Sequence, residues 1–188
     1  MPRTLRLSDS ISKPTPAYDT RPSDGRYHHH VDRAAAFLAS EADDRAPYMA
    51  LGNLTDDDLA RSVPDAHGWS GRDLMAHLVF WQEIAVRILR DLSSSDDSST
   101  DAWASTEWDS RGDAWNEEIL VEWRSKPLAE VRELFETTPG ALRAALEAAP
   151  EARWWGNKEY RKTVVEETIE HYADHHSELA AILAAAEG

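Results

Sequence analysis

Between Leu74 and Leu89 the apolar residues recur at steps of three and four: Leu74, Leu78, Trp81, Ile84, Ala85, Ile88 and Leu89, with His77 among them. That period belongs to one face of an α-helix, because a strand would alternate every second residue. Ser70 and Asp73 precede it at capping-box spacing, so the helix is expected to open there. A stripe this broad must be covered by other helices. The rest of the chain supplies them. Val31, Ala34, Ala35 and Leu38 predict a first helix from about His29 to Asp44. Thr55, followed by Asp56, Asp57 and Asp58, predicts an N-cap opening one or two turns. Asp113 is expected to cap a helix carrying Trp115, Ile119 and Trp123. A further helix is expected from near Ser125, with Pro127 in its first turn and Leu128, Val131, Leu134, Phe135, Leu142 and Leu146 as its apolar positions. Pro139-Gly140 should kink or interrupt it. The last helix is expected from near Thr163, with Glu166 as capping partner and Val165, Thr168, Ile169, Tyr172, Leu179, Ile182 and Leu183 on its inner side. The polar run from Ser93 to Thr100 reads as a loop. No segment shows strand-like alternation, and no repeat is present. The expected fold class is all-α, a four-helix bundle with additional short helices.

At 188 residues, 41% of them apolar, the chain has material for one sizeable core. Pro2, Pro14, Pro16 and Pro22 break up the beginning, so residues 1–27 read as a partly flexible tail and 28–188 as the folded domain. No stretch approaches the roughly 20 apolar residues of a membrane-spanning helix. The N-terminus carries no apolar core of a secretory signal, and the expected location is cytoplasmic. There are no cysteines, which excludes disulfides and thiolate metal sites. Any metal must be held by His, Asp or Glu, and a nucleophilic thiol would have to come from outside. The formal charge is -15, from 35 acidic and 20 basic residues, a field that repels a phosphate backbone. Nucleic acid and membrane are therefore not expected partners, and the acidity is read as a solubility feature rather than as a device for a basic partner. Eight tryptophans are many for this length; some must be core, and a surplus of indoles can also line a ligand pocket.

His171 and His175 are four apart, which puts both rings on one helix face with Cβ atoms roughly 5–6 Å apart. Such a pair supplies two metal ligands from one rigid element. His77, mid-helix on an apolar face, is the natural third. A buried imidazole without a partner costs about 1–3 kcal/mol, and an ion would satisfy it. His176 points about 100° away from the pair and reads as rim, and His28, His29 and His30 as an adventitious run. Three neutral ligands leave a coordination position open, the mark of a catalytic rather than structural site. Glu170 and Asp174 flank the ligands as candidate acceptors for ring N–H groups, or as solvent-facing charges.

These residues bring a family into view. Trp69-Ser70-Gly71-Arg72-Asp73-Leu74-Met75-Ala76-His77-Leu78, Trp115-Asn116-Glu117-Glu118-Ile119 and Glu170-His171-Tyr172-Ala173-Asp174-His175 resemble the DinB/YfiT-like metal-binding four-helix bundles. That superfamily includes the mycothiol-dependent maleylpyruvate isomerases and the ClbS/DfsB-type resistance proteins. The likeness covers roughly residues 30 to 185. It implies an up-down-down-up bundle, a metal held by His77, His171 and His175, and a low-molecular-weight thiol as cosubstrate. In the isomerase branch the first of the late pair is a glutamate. Here it is His171, which looks more like the thiol-transferase and general DinB pattern. The resemblance also implies a possible homodimer.

Three readings of function follow. The first is a metal-dependent thiol-S-transferase or hydrolase acting on a small electrophilic molecule, in a detoxification role. It expects zinc, with nickel or iron as other candidates, and Trp81 and Trp115 lining the approach. The second is a ClbS/DfsB-like protein that sequesters or hydrolyses a reactive compound without the metal. The third is a metal staple with no turnover.

Overall fold

The computed structural model describes residues 32–188, which are helical with no strand among them. The expectations for residues 1–27, for the His28–His30 run and for a first-helix start at His29 lie outside the described residues.

Helix α1 (Arg33–Arg45) is capped by Asp32, whose side chain accepts from Ala35 N. A 3₁₀ segment (Ala46–Asn53) and the short α2 (Asp56–Ala60) follow, with Thr55 capping α2 through Asp58 N as expected. A 3₁₀ turn (Pro64–Ala66) ends at His67, which takes a left-handed φ of 58°. Helix α3 (Gly71–Ser94) opens on the expected capping box, Ser70 with Asp73. Gly71 lets α3 start close to α2: a Cβ there would sit 2.6 Å from Leu59 Cδ2, which would have to shift.

Helix α3 extends to Ser94 and α4 spans Ser99–Arg111, so the expected loop from Ser93 to Thr100 shrinks to its middle. The Asp91 carboxylate is the reason. It accepts from Ser98 Oγ and from Thr100 N, each at 2.9 Å, and Ser98 in turn caps α4 through Asp101 N. Helix α5 (Asp113–Trp123) starts where expected, but its N-cap is Gly112 rather than Asp113. The α4–α5 turn needs φ +53° at that position, which glycine adopts without a Cβ penalty.

Helix α6 (Leu128–Ala148) begins three residues after Ser125, with Pro127 at its cap, and runs unbroken through Pro139-Gly140. The Thr138 hydroxyl donates to Leu134 O, and Val131, Phe135, Leu142 and Leu146 are buried, so packing holds the helix through the proline. Helix α7 is one turn (Glu151–Trp154), and Trp154 is fully buried.

The last helical run differs most from expectation. It starts at Lys158, not Thr163, because Asn157 accepts from Glu159 N and Tyr160 N as the cap. Helix α8 (Lys158–Val165) passes into a π turn (Glu166–Glu170), then α9 (His171–Asp174) and α10 (His176–Glu187).

Helix α3 is the axis of the described fold. Of its 24 residues, 16 are buried, and it packs along α6 and against the π turn. A buried polar knot ties α1, α3 and α9 together. Glu41, 2% exposed, accepts from Arg45 Nε at 3.0 Å, Gln82 Nε2 at 3.2 Å and Tyr172 Oη at 3.2 Å. Because Tyr172 follows His171, this knot fixes the helix that carries His171 against α1 and α3. No described helix is long and apolar enough to cross a membrane.

Candidate metal centre

The three histidines expected to meet do meet. Their ring centroids form a near-equilateral triangle: His77–His171 4.8 Å, His77–His175 4.7 Å and His171–His175 4.9 Å. One nitrogen from each lies within 4.8 Å of the others. His77 comes from the second turn of α3, and its position follows from the capping box that starts the helix. His171 opens α9 and His175 ends it, with φ −105° and ψ 15°. The π turn just before them winds the backbone more loosely than an α-helix, a local feature often found at functional sites.

The charge state of the cluster suits a cation. Burial, then the neighbouring His171 and His175, push the His77 imidazole down to about 2. Burial, then His175, pushes His171 down to about 3. Burial also lowers His175, against the pull of Glu178 and Asp174. All three rings are neutral at pH 7, the form that ligates metal. Three of their nitrogens, His77 Nδ1, His171 Nε2 and His175 Nδ1, are buried without a hydrogen-bond partner among the described residues. His77 is 2% exposed. Orphaned buried nitrogens are costly, and a shared ion is the group that would satisfy such a set. The donor set therefore fits a divalent metal.

The nearest carboxylates to the rings are not the two expected. Glu170 and Asp174 are exposed on the cleft wall. Glu167 Oε2 lies 4.0 Å from His171 Nδ1, and Glu178 Oε2 lies 3.6 Å from His175 Nδ1. The spacing would have found both: Glu167 is four residues before His171 and Glu178 three after His175, each on its histidine's face. Burial, then Glu166, pushes the Glu167 carboxyl up to about 8.

The cluster opens into a cleft of about 1120 Å³. Trp81 lines it, and its Nε1 donates to Asn116 Oδ1 at 3.1 Å, which fixes the indole. Trp115 does not line it: it stands behind Trp81, edge to face at 5.2 Å, supporting the wall. Trp69 and Trp108 line the cleft instead. Trp69 packs 4.8 Å from His77 and 5.6 Å from His175, and Trp108 5.7 Å from Trp81. His176 is exposed and stacks on Tyr48, apart from the cluster.

The family model of the mycothiol maleylpyruvate isomerase N-terminal domain matches residues 45–175, a span that includes all three histidines. Among curated proteins and solved structures, none matches the chain. With more than half its length covered by that model, the chain belongs to the mycothiol maleylpyruvate isomerase N-terminal domain family, within the DinB-like superfamily.

Proposed function

We propose that this chain is a metal-dependent enzyme of the thiol-S-transferase or hydrolase type, acting on a small electrophilic molecule. The observation that carries the reading is the convergence of three orphaned, neutral imidazoles at the floor of a large cleft. His77, His171 and His175 would hold the ion, with zinc the first candidate and nickel or iron the others. Bound there, the ion supplies Lewis acidity, lowering the pKa of a thiol or water or polarising a carbonyl.

The chain's own residues divide the remaining work. Trp69, Trp81 and Trp108 offer flat apolar surface to the body of a substrate. Asn116 holds Trp81 in place. Glu167, on the cleft wall and 4.0 Å from His171 Nδ1, can give a proton from its carboxyl oxygen to a leaving group and take one back. Because the chain has no cysteine, a nucleophilic thiol must be a cosubstrate, and mycothiol is the candidate that the family name suggests.

The test is metal content together with thiol-dependent turnover of a generic electrophile such as monochlorobimane. Wild type should carry one ion per chain, and as a transferase it should turn over only with added thiol. His77→Ala should lose most of the metal and the turnover with it. A full complement of metal in His77→Ala would refute the ligand assignment. A second reading, capture without turnover, draws support from the size of the cleft and its indoles. It expects ligand binding to survive His171→Ala and metal removal.

A further inference from the structure

The wall of the cleft has a sign. Of the 22 side chains around it, ten are Asp or Glu and one, Lys162, is a lysine or arginine. Lys162 is itself held by Glu166 at 3.5 Å. Acids are 35 of 188 residues in the whole chain, so their density on this wall is well above the general background. Asp109, Asp113, Glu117, Glu159 and Glu170 have no ion-pair partner among the described residues, and Asp101 Oδ1 is buried without a hydrogen-bond partner among them. These carboxylates come from α4, α5, α8 and the π turn, so they surround the cavity rather than cluster on one helix.

Two further observations point to a ligand rather than to an idle acidic surface. The floor carries His77, 2% exposed, with an unpartnered ring nitrogen on the cleft wall. Trp69, Trp81 and Trp108 line the same space, and indole faces attract cations through their quadrupole. The carboxylates also exceed what an ion needs. Setting aside Glu167 and Glu178, the two nearest the rings, eight acidic side chains remain. A cavity lined by one sign of charge concentrates ligands of the other sign.

We infer that the substrate of this cleft is an organic cation, an ammonium or guanidinium group on an apolar body, and that dicarboxylates such as maleylpyruvate are disfavoured. The inference rests on the reading of the cleft as a substrate site above the metal centre. The charged group lies against the carboxylate wall and the indoles, and the apolar body leaves its reactive atom free to reach the floor.

The experiment is calorimetric titration of the full chain, zinc-loaded and EDTA-treated, with three probes of one shape. They are phenethyltrimethylammonium, 2-phenylethanol and 2-phenylethanesulfonate. A quaternary ammonium cannot ligate a metal, so its affinity reports the wall alone. At low salt the ammonium probe should bind about tenfold more tightly than the sulfonate, with the alcohol between, and the advantage should shrink at high salt. The triple variant Asp109→Asn, Asp113→Asn, Glu159→Gln changes three exposed positions on separate walls. It should weaken ammonium binding about tenfold and leave zinc content unchanged. The inference is overturned if the sulfonate binds as tightly as the ammonium in EDTA-treated protein, if the triple variant binds the ammonium like wild type, or if the ammonium does not bind. Zinc content in the same samples separates the two readings. Cation preference without zinc uptake removes the metal centre alone, and normal zinc uptake without cation preference removes this inference alone.

Discussion

At the scale of single residues, His77 states the problem that the site solves. An imidazole at 2% exposure with an unpartnered nitrogen is an unpaid cost in the metal-free protein. His77→Leu should therefore stabilise the EDTA-treated chain, by about 1 kcal/mol in urea unfolding, while removing metal binding. A loss of stability in that variant would mean that the ring is satisfied in some other way. The same residues set a pH profile for the metal-free protein. His77 and His171 are held down to about 2 and about 3, whereas in the unfolded chain they titrate at 6.5. Below pH 6.5 the unfolded state takes up protons that the folded state refuses, and each ring costs about 1.4 kcal/mol of stability per pH unit. Glu167 acts in the opposite sense. Held up to about 8 from 4.5, it keeps its proton in the folded state, so stability falls as pH rises from 4.5 towards 8. Two imidazoles outweigh one carboxyl below pH 6.5, and only the carboxyl acts above it. Thermal melts in EDTA should peak near pH 6.5, and Glu167→Gln should flatten the decline on the alkaline side. An unchanged decline in that variant would remove Glu167 from the account.

At the scale of elements, the three histidines depend on where helices begin. Asp73 serves two roles at the start of α3. It completes the capping box, and it accepts from Arg124 Nε at 2.8 Å and Nη2 at 3.1 Å. Asp73→Ala should lower unfolding stability by about 2 kcal/mol, the sum of a lost cap and lost charge-assisted hydrogen bonds. A loss below about 0.5 kcal/mol would show that α3 does not need this start. Much of this level was legible in the sequence. The stripe from Leu74 to Leu89, the Ser70–Asp73 box and the Thr55 cap each express a local rule, and each stands where it was read. The starts of α6 and α8 were misread because Pro127 and Asn157 are good caps that lie beside other plausible ones. The π turn carries no local signature in Glu166–Glu170; it is a tertiary feature, with the turn itself and α8 packed on α3 and α9 packed on α1. At the site, the histidine triad was readable because i, i+4 spacing survives translation into space. Trp115 was not correctly placed, because lining and backing positions of a wall share the same residue type and the same helix.

At the scale of the whole molecule, the charge of -15 and the acidic cleft make self-repulsion a standing cost. Raising sodium chloride from low to physiological strength should stabilise the metal-free protein by about 1 kcal/mol, roughly 2–4 °C in Tm. A fall in Tm would indicate that attractive ion pairs, such as Arg132–Asp56 and Arg153–Asp96, outweigh the repulsion.

The placement of Trp69 has a practical consequence. Its ring stands 4.8 Å from His77 and 5.6 Å from His175, and Trp81 stands 6.2 Å from His171. Two fluorophores thus stand beside all three rings proposed to hold the ion. If the three rings hold an ion as proposed, the emission of these two indoles should change on its arrival and departure, with no label needed.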